Sequence, residues 1–234
     1  MKSRKKIRYA VVGLGHIAQV AVLPAFAHTN GNSELAAFIS DDQVKLSKLS
    51  KEYGVDHCYF YEQFEKCLTE ADIDAVYIAL PNDMHREYTL RAAKKGVHVL
   101  CEKPMAKTVT ECEEMIEICE TNSVKFMTAY RLHFERANMS VVDLVRSGKI
   151  GEPRAFNSSF SLSVREGNIR TRVDKGGGPL MDIGIYCINA ARYIFREEPI
   201  EVQALAVSGD DPRFSEIEET VGAIMKFPNA CLAG

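Results

Sequence analysis

Tryptophan is absent from the sequence, and so is any strong imbalance of charge: 29 Lys and Arg stand against 32 Asp and Glu, a formal net charge of −3. Without a basic excess, no overall field draws the chain to nucleic acid or to an anionic membrane. No apolar run approaches the ~18–20 residues needed to span a bilayer. The seven cysteines (Cys58, Cys67, Cys101, Cys112, Cys119, Cys187 and Cys231) are odd in number and include no C-x-x-C pair. That argues against a disulfide framework and a zinc site, and for a reducing cytoplasm. Cys112 and Cys119 share one face of a helical stretch and read as small buried side chains. No His/Cys/Asp/Glu cluster has metal-ligand spacing, so no metal is expected. Internal repeats and low-complexity segments are missing too. The start is basic, with Lys2, Arg4, Lys5, Lys6 and Arg8. The apolar stretch after it is short and has no small-residue cleavage site, so it reads as a solvated tail and not as a signal peptide.

What is present is a chain of 234 residues with 46% apolar side chains, enough for one large domain or two modest ones. Strand and helix patterns alternate up to about residue 130. Strands are expected at Ile7–Val12, Leu35–Ile39, Asp74–Leu80, Val97–Cys101 and Val124–Ala129. Helices are expected at His16–His28, with a kink or a late break at Pro24, and at Asp42–Tyr53, Asp83–Lys95 and Thr108–Thr121. Such alternation implies α/β architecture, a Rossmann doubly wound parallel sheet covered on both faces, over 1–130. Beyond it, a helix over Phe134–Ser147 leads to longer β-type segments, Ala155–Val164, Ile200–Val207 and Val221–Phe227. They are interrupted by a Gly-rich segment and a helix, together over Gly176–Phe195. This predicts a second, α+β domain over 131–234 with an open, mostly antiparallel sheet.

The run Gly13-Leu14-Gly15-His16-Ile17-Ala18 fits G-x-G-x-x-A immediately after the first strand. Gly13 suits a tight turn, Gly15 a close approach of backbone to a pyrophosphate, and Ala18 close packing of helix on strand. The first helical turn then offers free N–H groups and the dipole to the phosphates. Solvent contact for His16 is the competing reading. The second strand ends in Ser40, Asp41 and Asp42, with Lys45 one turn on. A hydroxyl beside an ammonium suits the 2′-phosphate of NADP. Asp41 offers the alternative, a ribose 2′-hydroxyl and hence NAD. Helix capping by Ser40 or Asp41 is compatible with both.

Three further blocks follow in order: Leu80-Pro81-Asn82-Asp83-Met84-His85, then Gly96-Val97-His98-Val99-Leu100-Cys101-Glu102-Lys103-Pro104, then Gly176-Gly177-Gly178-Pro179-Leu180-Met181-Asp182-Ile183-Gly184-Ile185-Tyr186. Together with the glycine turn, they resemble the glucose–fructose oxidoreductase (Gfo/Idh/MocA-type) family of NAD(P)-dependent oxidoreductases, from Ile7 to about Phe227. The resemblance implies a catalytic trio. Lys103 would contact nicotinamide ribose and substrate, Asp182 would hold substrate, and Tyr186 would be the acid/base. It implies a cofactor site of Gly13, Gly15, His16, Ile17, Ser40, Lys45, Pro81, Asn82, His85, Glu102, Lys103, Tyr130 and Arg131. It further implies a sugar or cyclic-polyol substrate, and a homodimer or dimer of dimers through the C-terminal sheet.

Hydride transfer at a carbinol carbon requires a proton to move at the oxygen. A phenol does this near neutrality only beside a cation, a part suited to Lys103. Asp182 suits sugar hydroxyls. Plainer roles compete: Asp182 as a helix cap, Tyr186 as a core tyrosine, His85 as a first-turn residue, His133 as packing. The chain departs from the family pattern in two ways. With no Trp, the Trp-Arg pair before the glycine run is replaced, Ile169-Arg170 standing nearest. The sequence also stops at Ala230-Cys231-Leu232-Ala233-Gly234, short of the family's usual extent, which implies an incomplete second sheet with an exposed edge. Two other readings stay open: a dinucleotide-binding sensor without turnover, and a dihydrodiol-type dehydrogenase. With no leader visible, the cytoplasm is the expected location.

Overall fold

The computed structural model describes residues 6–234; the basic residues Lys2, Arg4 and Lys5 lie outside them. The chain divides into two compact units, Met1–Ala129 and Tyr130–Gly234.

The first unit is a six-stranded sheet, all parallel: β1 (Ile7–Val12), β2 (Ser33–Ile39), β3 (His57–Tyr59), β4 (Ala75–Ile78), β5 (His98–Glu102) and β6 (Phe126–Ala129), in the order β3-β2-β1-β4-β5-β6. The order reverses between β1 and β4, and in such sheets the crevice at the carboxyl ends of the strands flanking that point binds ligands. Both faces are covered, so the centres of the inner strands are apolar and successive residues serve opposite cores. Ala10, Val12, Val76 and Val99 face one cluster with Phe64, Tyr88 and Met115, from α3 (Phe64–Glu70), α4 (His85–Ala93) and α5 (Val109–Thr121). Val11 and Phe38 face the other with Ala18, Leu23, Leu46 and Leu49. Each fully buried Phe or Leu contributes about 1.5–3 kcal/mol.

Local chemistry sets the helix boundaries. The segment after β1 is irregular: a π turn at Ala18–Val22, α1 at Leu23–Ala25 and a 3₁₀ turn at Phe26–His28. Pro24 lacks the N–H that would continue a regular ladder; the helical stretch nevertheless runs on to His28 without the expected break, its irregularity taken up by the π turn just before the proline. Asp42 caps α2 (Gln43–Tyr53) by accepting from the Lys45 amide at 3.0 Å, and Gly54 ends it at φ +67°. Thr108 and Glu111 form a capping box on α5. The sequence pattern had not marked β3 or α3. A three-residue edge strand and a seven-residue helix are too short for periodicity to show.

The second unit holds α6 (Arg136–Arg146), a π turn Leu180–Gly184 running into α7 (Ile185–Phe195), and a four-stranded sheet of β7 (Ala155–Phe156), β8 (Glu201–Val207), β9 (Thr220–Phe227) and β10 (Cys231–Ala233). The order is β7-β10-β9-β8; β8/β9 and β9/β10 are antiparallel and β10/β7 parallel. The expected strand Ala155–Val164 is corrected to Ala155–Phe156. Its ladder pairs Ala155 with Leu232 and Phe156 with Ala233, and one further bond runs from the Ser158 amide to the Gly234 carbonyl at 2.8 Å. One sheet face is packed, with Met225, Phe227, Cys231 and Ala233 meeting Ala191 and Ile188. On the other, Leu205, Val207, Ile224 and Leu232 are exposed, Leu205 to 81%. Among the described residues no helix is long and apolar enough to cross a membrane.

Candidate cofactor and substrate site

The glycine turn is fixed by its surroundings. The Gly13 amide donates to the Ile39 carbonyl at 2.9 Å and its φ is +91°. A Cβ there would stand 2.6 Å from the Ala79 carbonyl oxygen, so no other residue fits between β1 and β4. Gly15 is the opposite case: it is exposed, and a Cβ on it would meet nothing within 4 Å. Its missing side chain therefore serves nothing inside the protein and leaves the helix start open from outside. That fits a pyrophosphate lying against the first-turn amides, which have no intrahelical partner. His16 and Ile17 are exposed on the same turn.

At the end of β2, Ser40 is buried, 4% exposed, and its Oγ accepts from the Asp42 amide at 3.2 Å. The Lys45 ammonium lies 2.8 Å from Asp42, and its hydrogen bond holds that carboxyl below the usual range. Asp41 accepts from the Tyr61 amide at 3.2 Å. The Tyr61 phenol interacts with Ser40, and burial first, then Asp41, pushes it up to about 12. Tyr61 was not singled out in the sequence. The only signal would have been that β3, once placed beside β2, delivers the next residues to the Ser40 end.

Pro81, Asn82 and the loop leading to α4 follow β4; Glu102 and Lys103 stand at and just after the end of β5. Because β1, β4 and β5 pair in succession, the Gly13 turn, the Pro81 loop and Lys103 share the carboxyl edge of one sheet. Glu102 is anchored: its Oε1 accepts from the Tyr77 hydroxyl at 2.7 Å and its Oε2 from the Lys103 amide at 3.3 Å. Tyr77 sits opposite Leu100, two residues before Glu102 and on the same face, a pairing readable only once the register is known. His85 is fully buried, with its ring nitrogens against the Pro104 and Leu80 carbonyls.

Asp182, Tyr186, Tyr130 and Arg131 belong to the second unit. Asp182 accepts from Arg170 Nε at 2.6 Å, with its side chain 16% exposed. The glycine run builds this pair. The Gly177 and Gly178 amides donate to the Arg172 and Arg170 carbonyls at 2.9 Å, and a Cβ on Gly177 would sit 2.5 Å from the Arg170 oxygen. The backbones meet because no side chain intervenes. Tyr186, four residues beyond Asp182, has its ring edge-on to Tyr130 at 6.1 Å and roughly parallel to Phe160 at 5.9 Å. Phe160 was missed because it was placed in a strand. His133 stacks on Tyr193 at 3.5 Å. Arg131 is exposed. Among the described residues no group of three or more His, Cys, Asp or Glu could hold a metal ion.

Fold and site thus define a class: a Rossmann-type dinucleotide-binding unit followed by an α+β unit. The particular family follows from comparison. Residues 7–130 match the oxidoreductase family with an NAD-binding Rossmann fold, and residues 139–234 match the GFO/IDH/MocA C-terminal domain. The chain belongs to this GFO/IDH/MocA oxidoreductase family. It is 31% identical to a D-xylose 1-dehydrogenase [NADP(+)] of Haloarcula marismortui over 95% of this chain and 63% of that protein. An aldose-aldose oxidoreductase of Caulobacter crescentus, crystallised with glycerol, superposes with a TM-score of 0.92 at 40% identity, covering 98% of this chain and 70% of the other. A 3-ketoreductase variant from Actinomadura kijaniata, solved with TDP-benzene and NADP, gives a TM-score of 0.85 at 27% identity, covering 98% of this chain and 69% of the other. The chain spans about two thirds of the length of these relatives.

Proposed function

We propose that the chain serves an NADP-dependent oxidoreductase that moves a hydride between nicotinamide and a carbon of a sugar or cyclic polyol. The observation that carries this reading is the carboxyl edge of the first sheet, where the Gly13 turn, the open Gly15 and Lys103 stand at adjacent parallel strands. Relatives named for D-xylose and for aldoses support the substrate class. Those named or solved with NADP support the cofactor, with NAD as the alternative. Gly13, Gly15, His16 and Ile17 would receive the pyrophosphate, Ser40 and Lys45 the 2′-phosphate, and Pro81, Asn82, Glu102, Lys103, Tyr130 and Arg131 the nicotinamide half. His85 would act from behind that loop.

When bound, the nicotinamide supplies a hydride acceptor or donor. Tyr186 takes or returns the proton of the substrate hydroxyl. The Lys103 ammonium stabilises negative charge on that oxygen. Asp182, oriented by Arg170, accepts from sugar hydroxyls and sets the ring. The exposed apolar face of Leu205, Val207, Ile224 and Leu232 supports self-association through the second sheet.

The test is NADP reduction, read at the reduced-nicotinamide absorbance, against D-xylose, D-glucose and inositols. Tyr186→Phe should lower kcat roughly 10²–10⁴-fold, the span of general acid–base catalysis, and leave NADPH affinity nearly intact. Unchanged turnover would remove Tyr186 from the chemistry. Native mass spectrometry of the purified chain would report the bound nucleotide, its phosphate count and the oligomer together.

A further inference from the structure

The reading above leaves a fully buried histidine of the first unit without a stated chemical task. His85 opens α4 with 0% of its surface exposed. Its Nδ1 stands 2.8 Å from the Pro104 carbonyl oxygen and its Nε2 2.9 Å from that of Leu80. These carbonyls belong to different loops. One loop leaves β4 and carries Pro81 and Asn82; the other leaves β5 and carries Lys103. The two are neighbours because β4 and β5 pair, with Ile78 opposite Cys101.

A carbonyl turned into the interior beyond the end of a ladder needs a donor, or it costs the desolvation of an unmade hydrogen bond. An apolar side chain of the same volume fills the space and supplies none. Imidazole is flat and rigid, and it presents two nitrogens at a fixed spacing. Set between the two carbonyls, it therefore fixes their separation. Lys103 is bonded directly to Pro104 and follows its position.

We propose that His85 is a positioning residue: by donating from Nδ1 to the Pro104 carbonyl, with Nε2 at the Leu80 carbonyl, it sets where the Lys103 loop stands against the Pro81 loop. The inference rests on the reading of Lys103 as the group that meets substrate. A neutral ring donates through one nitrogen and an imidazolium through both. With the proton of a neutral ring on Nδ1, or in the imidazolium, the bond to Pro104 forms and is the one that reaches Lys103; a neutral ring protonated on Nε2 donates to Leu80 instead. His85 has no exposed surface, and its ring nitrogens face main-chain carbonyls.

Two near-isosteres separate the bonds. His85→Asn keeps an amide nitrogen near the place of Nδ1, and His85→Gln keeps one near the place of Nε2. Hydrogen exchange across residues 103–108, measured on the full chain, should run roughly tenfold faster in the Gln variant than in the Asn variant, corresponding to about 1.4 kcal/mol for one lost bond. Turnover with NADP and the best substrate of the panel should fall further in Gln than in Asn, while the KM for NADP stays within about threefold in both. Equal exchange in the two variants would overturn the proposal. Unequal exchange with equal turnover would overturn it as well, since the loop would then be held without consequence for Lys103. Lys103→Met, assayed alongside, tests the underlying reading separately. If it leaves turnover unchanged, the role of Lys103 falls, while the exchange comparison still decides whether His85 holds the loop.

Discussion

The two units hold their candidate site residues by different means. In the first, the positions that matter are largely backbone: an open helix start at Gly15, a turn locked by the Ala79 carbonyl, and loop carbonyls gathered by His85. In the second they are side chains held by other side chains, Asp182 by Arg170 and Tyr186 between Tyr130 and Phe160. Packing differs in the same direction. The first sheet is buried on both faces by two large clusters, whereas the second rests on a small cluster around Phe227 and shows an apolar face to solvent. On the proposed reading, main chain, which substitution barely alters, would meet the cofactor, and side chains, which substitution changes readily, would meet the substrate.

The largest expected effect tests how far this division goes. Phe227→Ala should cost about 3–5 kcal/mol, the usual loss for a buried phenylalanine. The loss should appear as faster hydrogen exchange in β8, β9 and β10, with NADPH binding retained. Phe64→Ala, of similar cost, should do the reverse. If either variant loosens both sheets equally, the units unfold as one cooperative body and the contrast is lost.

The second comparison is between two glycines two residues apart. Gly13→Ala places a side chain at φ +91° against a carbonyl 2.6 Å away. Backbone strain of this kind costs about 1–3 kcal/mol and the clash adds to it, so thermal stability and NADPH binding should fall together. Gly15→Ala meets no neighbour. It should leave the melting temperature within about a degree or two and weaken NADPH roughly tenfold or more by blocking approach to the amides. Unweakened binding in Gly15→Ala would show that the phosphates lie elsewhere.

The smallest effect concerns pH. Burial lowers the His85 pKa below its ordinary 6.5, with the Pro104 and Leu80 carbonyls and the charge of Glu102 opposing that shift. In the window between the folded value and 6.5 the unfolded chain binds the proton more readily. Stability from this group is therefore full above 6.5 and declines as pH falls through the folded value. Urea midpoints for the first unit between pH 5 and 8 should show this slope in the native chain and lose it in His85→Asn. An identical slope in both would assign it to another group.

Much of this molecule was legible in the residues. The strand Ile7–Val12 was placed to the residue, since a β-branched run ended by Gly13 admits few other readings. Pro24 marked the irregular helix after it, and the two-unit division followed from the change of pattern near residue 130. Other features were not legible. Periodicity has too few residues to act on in β3 and α3. Residues 157–164 have strand character, but composition does not say which residues a ladder will pair. Tyr77, Tyr61 and Phe160 reach their partners only through register and loop path.

The sequence by itself determined the alternation of elements, the glycine turn and the family, because these depend on local sterics and short-range periodicity. Tertiary structure alone decided that Gly13 is required by the Ala79 carbonyl just past the neighbouring strand, that Glu102 hangs from Tyr77 and Asp182 from Arg170, and that His85 faces inward to two main-chain oxygens. Each of these contacts joins residues far apart along the chain or on different elements. Its strength comes from burial and exact placement, quantities that exist only after the sheets have assembled.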